Sequence, residues 1–359
     1  MKKILVLMLA LAMLLTLCAC GSENDPVTNP TDDGSVSTET LSIGISVPVL
    51  SNPFWRSFAD FGEKYAKELG MEVTVVDANE NDASQLDQVM GLISAGVDGI
   101  VITPNTTAIV NSILVACDEA DVKVIIAERY PGMSPEEYEG DSYVGYIGVD
   151  NVMAGYNIAA ALYEAGARKI CAVGGKQGVA VADERSEGLH KFLEEHPDME
   201  LLQELRNGEL REYGLQDVEN FLSAYPDGFD AVWCYNDDTA MGVIQGLTNA
   251  GLNGEILVGG MDLIDEAVAA IQSGDMLYST GGQWAESAGA VVMLYDALNG
   301  FDPDPAVHEI SIPGVTAENA DAYFAQFVDS TPEYDIEALS KALNPDAKTS
   351  DFSIELKLD

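Results

Sequence analysis

Basic side chains are scarce in this chain: 17 Lys and Arg stand against 60 Asp and Glu, a formal net charge of −43 over 359 residues. A surface of that sign repels phosphate backbones and anionic headgroups, which excludes nucleic-acid binding. Histidine is rarer still. His190, His196 and His308 all fall on surface-like segments, and no H-E-x-x-H, G-x-S-x-G, P-loop or G-x-G-x-x-G motif occurs. The five cysteines include no C-x-x-C pair, which argues against a disulfide framework or a zinc site. Cys117, Cys171 and Cys234 each sit inside an apolar run and read as small core hydrophobes. Asp77, Asn79 and Asn81 echo the start of a calcium loop, but Asp82 replaces the turn glycine and Gln88 the closing glutamate, so a cap for the next helix is the better reading. No metal and no cofactor is expected.

What is present begins with Lys2 and Lys3 ahead of the apolar run from Ile4 to Leu17, too short to span a bilayer comfortably and of the form of a secretory signal. The segment Leu17, Cys18, Ala19, Cys20, Gly21 resembles the lipobox of bacterial lipoproteins. That resemblance places cleavage after residue 19, with Ala19 as the small residue before the cut, and a lipid on Cys20. The alternative is an ordinary cleaved signal with incidental cysteines. Residues 21–40 hold five carboxylates among Ser, Thr, Asn and Pro and no Lys or Arg, the composition of a solvated tether. The expected mature protein is exported and held at the outer face of the cell membrane, with fifteen basic residues against sixty acidic ones.

The stretch LSIGISVPVLSNPFW, residues 41–55, opens the folded part: a strand-length apolar run, a loop with Pro48, Ser51, Asn52 and Pro53, then a helical pattern from Phe54 to Leu69. The unit repeats. Strands are predicted in MEVTVVDA, GIVITP and VKVIIAE, with helices over 82–95 and 107–120. After an acidic loop from Arg129 to Ser142, which reads as an exposed insertion, a second series starts at YVGYIGVDN. Its predicted helices cover 152–165, 183–195, 213–224, 238–250, 263–273 and 285–298. Its strands are RKICAVGG, MELLQEL, DAVWCYN, EILVGGM and MLYSTGG. Short β-branched runs alternating with amphipathic helices indicate parallel βαβ units, and two such blocks indicate two lobes. The tail from Thr331 offers a short helix in DIEALSKAL and a half-buried strand in FSIELKLD.

In open α/β sheets ligands bind beyond the carboxyl ends of the strands. Residues just after the predicted strands are Asn52, Phe54 and Trp55, then Glu128 and Arg129, Arg185, Asn236 and Asp237, Asp262, and Gln283. Carboxylates, amides and guanidinium forks pair with the vicinal hydroxyls of a sugar, and aromatic rings stack on its C–H faces. Each position alone also suits a turn or a helix cap, as do Asp183 and Asp238.

From Leu41 to Phe327 the chain resembles the type I periplasmic sugar-binding proteins, the ribose-binding-like family. The likeness rests on SNPFW, DASQLDQVMGLISAGVDGIVITPN, IAER, GVDN, DERSEGL, WCYNDDTAMG, VGGMD and TGGQ. It implies two α/β lobes, each a mostly parallel sheet flanked by helices, joined by three crossovers near Val149, Gln283 and Ile312. One lobe is then 41–149 plus 284–312, the other 150–283 plus 313–327, and 328–359 is an extension of unassigned role. The resemblance also implies sugar contacts from Asn52, Phe54, Trp55, Glu128, Arg129, Arg185, Asn236, Asp262 and Gln283, and a monomer that delivers a monosaccharide to an ABC transporter permease. Three features depart from the family. Glu128 stands where Asp is usual, Glu209 lies where a second-lobe aromatic is expected, and the 129–142 loop and the tail lie outside the pattern.

A sensor feeding a chemoreceptor needs the same two closing lobes and stays open as an alternative. A glycoside-processing enzyme needs two carboxylates, for which Glu128 and Asp262 are the candidates, but Arg129 and Arg185 nearby are expected to keep both ionised and unsuited to acid catalysis. A DNA-binding repressor of this fold needs a basic head, and the signal sequence stands in that place.

Overall fold

The computed structural model describes residues 40–348 and 352–358, so the signal sequence, Cys20 and nearly all of the tether lie outside the described residues. The chain runs β1 (Ser42–Val47), α1 (Pro53–Glu68), β2 (Glu72–Asp77), α2 (Asp82–Ala95), β3 (Gly99–Ile102), α3 (Val110–Ala120), β4 (Lys123–Ala127) and β5 (Tyr143–Gly148). It continues as α4 (Asn151–Glu164), β6 (Lys169–Val173), α5 (Ala180–Glu195), β7 (Glu200–Leu205), α6 (Arg211–Ala224), β8 (Ala231–Cys234), α7 (Asp237–Ala250), β9 (Leu257–Asp262), α8 (Asp265–Ser273) and β10 (Tyr278–Gly281). The last elements are α9 (Glu286–Leu298), β11 (Val307–Glu309), β12 (Gly314–Val315), α10 (Ala320–Tyr323) and α11 (Ile336–Leu339).

These strands form two six-stranded sheets, β11-β5-β4-β3-β1-β2 and β12-β10-β9-β8-β6-β7. Every pairing described is parallel except β10 with β12. The order in each sheet is that of a doubly wound fold, whose switch point lies between the first and third strands of the block. The chain passes between the sheets after β5, after β10 and after β11. Strands covered on both faces carry the apolar runs: Ile43, Ile45 and Val47 of β1 and Val124, Ile125, Ile126 and Ala127 of β4 are all buried. Cys117, Cys171 and Cys234 are free and buried, packed as small hydrophobes.

Several local expectations change. Helix α5 starts at Ala180 rather than at Asp183, because Val179 carries the extended backbone of a cap position and Val181 and Ala182 are drawn into the core. Asp183 therefore sits in the first turn, accepting from Gly178 N–H and Arg206. Asp238 is likewise inside α7, where it binds Arg211, and Asn236 is the cap. Asn81 caps α2, as the poor fit to a calcium loop suggested. The 129–142 loop is not free: Asp118 at the end of α3 accepts from Tyr138 and from the backbone N–H groups of Asp141 and Ser142, and both terminal residues of the loop are buried. His308 is not on the surface, since β11 pairs with β5 and turns it inward.

In the tail, residues 352–358 form no strand, although Phe352 and Ile354 alternate inward as an amphipathic strand would. The tail packs on helices of the first sheet and on the segment after α10. Tyr334 N–H donates to Tyr65 of α1, Asp296 of α9 accepts from Ser340 and from the N–H groups of Lys341 and Ala342, and Gln326 exchanges hydrogen bonds with the backbone of Lys357.

Candidate functional site

Strand β4 is followed by two consecutive residues of opposite charge, and both are buried. In an extended strand Glu128 and Arg129 would point to opposite faces. Here Glu128 adopts a left-handed backbone, φ 60°, which is unfavourable for a side-chain-bearing residue and turns the chain so that neither side chain reaches solvent. Each then finds a partner beyond the strand ends of the opposite sheet. Arg129 Nη2 donates to both Glu209 oxygens, at 2.9 and 3.0 Å, from the loop after β7. Glu128 Oε1 accepts from Arg185 Nη2 of α5 at 2.8 Å. The two lobes thus exchange a carboxylate and a guanidinium each way, out of water on both sides.

Arg185 is placed by a close helix crossing. A Cβ on Gly155 of α4 would lie 2.0 Å from the Arg185 carbonyl oxygen, and one on Gly188 of α5 would lie 1.9 Å from that of Val152, so only glycine allows α4 and α5 this approach. The crossing lets Arg185 Nε reach Asn151 Oδ1 at 2.8 Å while Nη1 reaches the Tyr235 carbonyl at 3.0 Å. Asp262 Oδ1 lies 3.6 Å from Arg185 Nη1 and accepts from Gln283 Nε2 at 2.9 Å. Gly281, φ 149°, approaches Asp262 so closely that a Cβ there would fall 2.6 Å from its backbone, which brings Gln283 and Asp262 together.

Asn52 and Asn236 serve two purposes. Each caps a helix through Oδ1, accepting from Phe54 N–H and Thr239 N–H respectively, and each turns Nδ2 toward the Glu209 carbonyl, at 3.5 and 3.0 Å. Trp55 donates its indole N–H to Glu209 Oε2 at 3.3 Å, and the Arg129 guanidinium lies 5.1 Å from the Trp55 ring. Phe54 makes no polar contact in the cluster; its ring packs edge-on to Trp55 at 4.7 Å. Asp237, whose oxygens accept from Ser279 and Ile264 N–H, is tied to its own lobe.

The electrostatics divide the carboxylates. Burial alone would raise Glu209, but Arg129, Trp55 and Tyr235 outweigh it and hold the carboxyl below its ordinary value. At Glu128 burial prevails over Arg185 and Arg129, and the carboxyl lies above its ordinary value. Asp262 goes well above for the same reason. At both carboxyls burial removes more from the charged form than the arginines return. Burial and the charge of Glu128 also push up Glu286, in the first turn of α9.

The residues that reasoning on strand ends left out are Asn151, Glu209, Tyr235 and Glu286. Tyr235 lies inside the run DAVWCYN that the sequence reads as strand, and Glu209 lies four residues beyond Leu205 at the end of β7, so a rule confined to the residue after each strand reaches neither. Asn151 and Glu286 open the helices that follow two of the crossovers, a signal that depends on knowing where the crossovers are.

Residues 43–301 match the family model described as Periplasmic binding protein domain. The chain is 30% identical over 274 residues to the ribose import binding protein of Bacillus subtilis, covering 76% of this chain and 85% of that one. A solute-binding protein of an ABC transporter from Bacillus halodurans with bound myo-inositol superposes with a TM-score of 0.71 at 26% identity, over 80% of this chain and 98% of that one. A periplasmic solute-binding protein from Actinobacillus succinogenes with bound D-allose gives 0.73 at 25% identity, over 79% and 100%.

Proposed function

The chain belongs to the type I periplasmic sugar-binding proteins, and from that premise we propose that it captures one neutral monosaccharide or cyclic polyol between its lobes and delivers it to the permease of an ABC transporter. The observation that carries this reading is the meeting of Glu128, Arg129, Arg185, Asp262 and Gln283 beyond the ends of strands from both sheets, within one connected set of hydrogen bonds and ion pairs. Each of these groups suits a hydroxyl, which donates to a carboxylate and accepts from a guanidinium. The lobes proposed are 41–149 with 284–312 and 150–283 with 313–327, acting as a monomer. Ribose, allose and myo-inositol, bound by relatives, define the size class. We place the protein at the outer face of the membrane through a lipid on Cys20.

A thermal-shift screen tests the first part. A sugar at a hundred times its dissociation constant adds about 2.7 kcal/mol to stability, enough for a clear shift. No shift with any pentose, hexose or inositol sinks the reading. For the anchor, Cys20→Ala should move the protein from the membrane fraction to the medium, and unchanged membrane association would refute it.

A further inference from the structure

Glu209 occupies an unusual position among the site residues. It follows β7 of the second sheet, yet its carboxylate takes hydrogen bonds from Arg129 and Trp55 of the first lobe as well as from Tyr235 of its own, and its carbonyl takes one from Asn52 and one from Asn236. Four of these five donors are residues assigned to the sugar.

The donor count is decisive for Arg129. Its two terminal nitrogens carry four N–H groups. Nη1 is directed to the Pro104 and Asn105 carbonyls, at 3.4 and 2.9 Å, and Nη2 to the two oxygens of Glu209. Trp55 has a single N–H, and it too points at Glu209. While Glu209 remains in place, a hydroxyl finds no N–H to accept from on the Arg129 terminal nitrogens or on Trp55, and the fifth guanidinium N–H, on Arg129 Nε, is buried without a partner.

We infer that Glu209 is an internal competitor for the sugar site: its carboxylate mimics the acceptor edge of a ligand, and a sugar reaches the Arg129 terminal nitrogens and the Trp55 indole N–H only by displacing it. This rests on the sugar-binding reading above and deepens it, because it makes Glu209 the residue that sets affinity and filters ligands. A neutral hydroxyl accepts more weakly from a guanidinium than a carboxylate does. A ligand must therefore recover the difference at Glu128, Arg185, Asp262 and Gln283, which favours sugars with hydroxyls along both edges over those deficient on one.

The test compares wild type, Glu209→Gln and Glu209→Ala by isothermal titration with D-ribose, D-allose and myo-inositol, each protein first checked for native circular dichroism. If the displaced form is populated about one-tenth of the time, removing the competitor tightens binding about tenfold. Glu209→Ala is expected to show that gain, and Glu209→Gln, which keeps the shape with a weaker acceptor, a smaller one. Small-angle scattering without added sugar should show a larger radius of gyration for Glu209→Ala, since the lobes lose their shared carboxylate. Sugar binding to wild type with unchanged or weaker binding to Glu209→Ala overturns the inference and makes Glu209 a bystander or a direct contact. Absence of binding in all three proteins instead removes the sugar-binding reading itself, and the inference with it.

Discussion

Glu128 and Glu209 invite comparison because both are buried and both are paired with an arginine. Each side chain is nearly inaccessible, at 2% and 8%, and each meets an arginine from the other lobe at 2.8 to 2.9 Å. Their ionisation nevertheless shifts in opposite directions. Glu209 accepts from both hydrogens of one Arg129 nitrogen, from an indole and from a phenol, whereas Arg185 divides its donors among Glu128, Asn151 and the Tyr235 carbonyl. Glu128 also has Glu286 and Asp262 as neighbours of its own sign. With both carboxyls buried, the donors aimed at each and the like charges beside it set the direction in which its ionisation shifts.

The comparison is most severely broken by removing Arg185. Glu128 and Asp262 then lose their shared guanidinium, and deleting one partner of a buried pair costs about 3–5 kcal/mol. Arg185→Ala should lower the urea midpoint accordingly, and Arg185→Lys should fall in between because an ammonium cannot reach three acceptors in one plane. A midpoint unchanged in Arg185→Ala would show that the pair contributes nothing. Next comes the crossing that aims Arg185. Gly155→Ala forces α4 and α5 apart, and overpacking of this kind costs about 1–3 kcal/mol. The midpoint should fall with no change in the denaturant slope, and native stability in this variant would contradict the close approach. A smaller effect is expected from Trp55→Phe, which keeps the ring and removes one long hydrogen bond, about 0.5–1.5 kcal/mol. It should also bring the Glu209 carboxyl back toward its ordinary value, readable by carbon-detected titration.

The smallest change is a pH dependence. Glu209 is depressed in the folded protein, so its contribution is present above the ordinary glutamate value and disappears as pH falls through its lowered one. Glu128 and Glu286 are raised, so theirs is present at low pH and disappears as pH rises. Glu184, in α5 one residue before Arg185, is pushed by burial from 4.5 up to about 7. Between those values it favours the folded state less and less, and Glu184→Gln should flatten the stability profile across that window. A titration in which Glu128 ionises before Glu209 as pH rises would reverse the comparison.

Local pattern alone carried most of the architecture. The spacing of Phe54, Phe58, Phe61 and Tyr65, the Asn81 cap and the β-branched runs all act within a few residues, so β1 through β10 and the helices between them could be read directly. Strands as short as β11 and β12 could not, because two or three residues carry no period and take their form from the strand beside them. The same division holds in the site. Glu128, Arg129, Arg185, Asp262 and Gln283 were legible as strand-end and helix-start residues on a common rim. That Glu209 would bind Arg129, and that burial rather than arginine would govern Glu128, depend on contacts between residues 80 and 57 positions apart, brought within 3 Å only when the two sheets face one another. Sequence specifies which groups line the rim, since that follows from local periodicity. Tertiary structure decides which of them pair and in which direction each ionisation shifts, since hydrogen bonding and desolvation act through space.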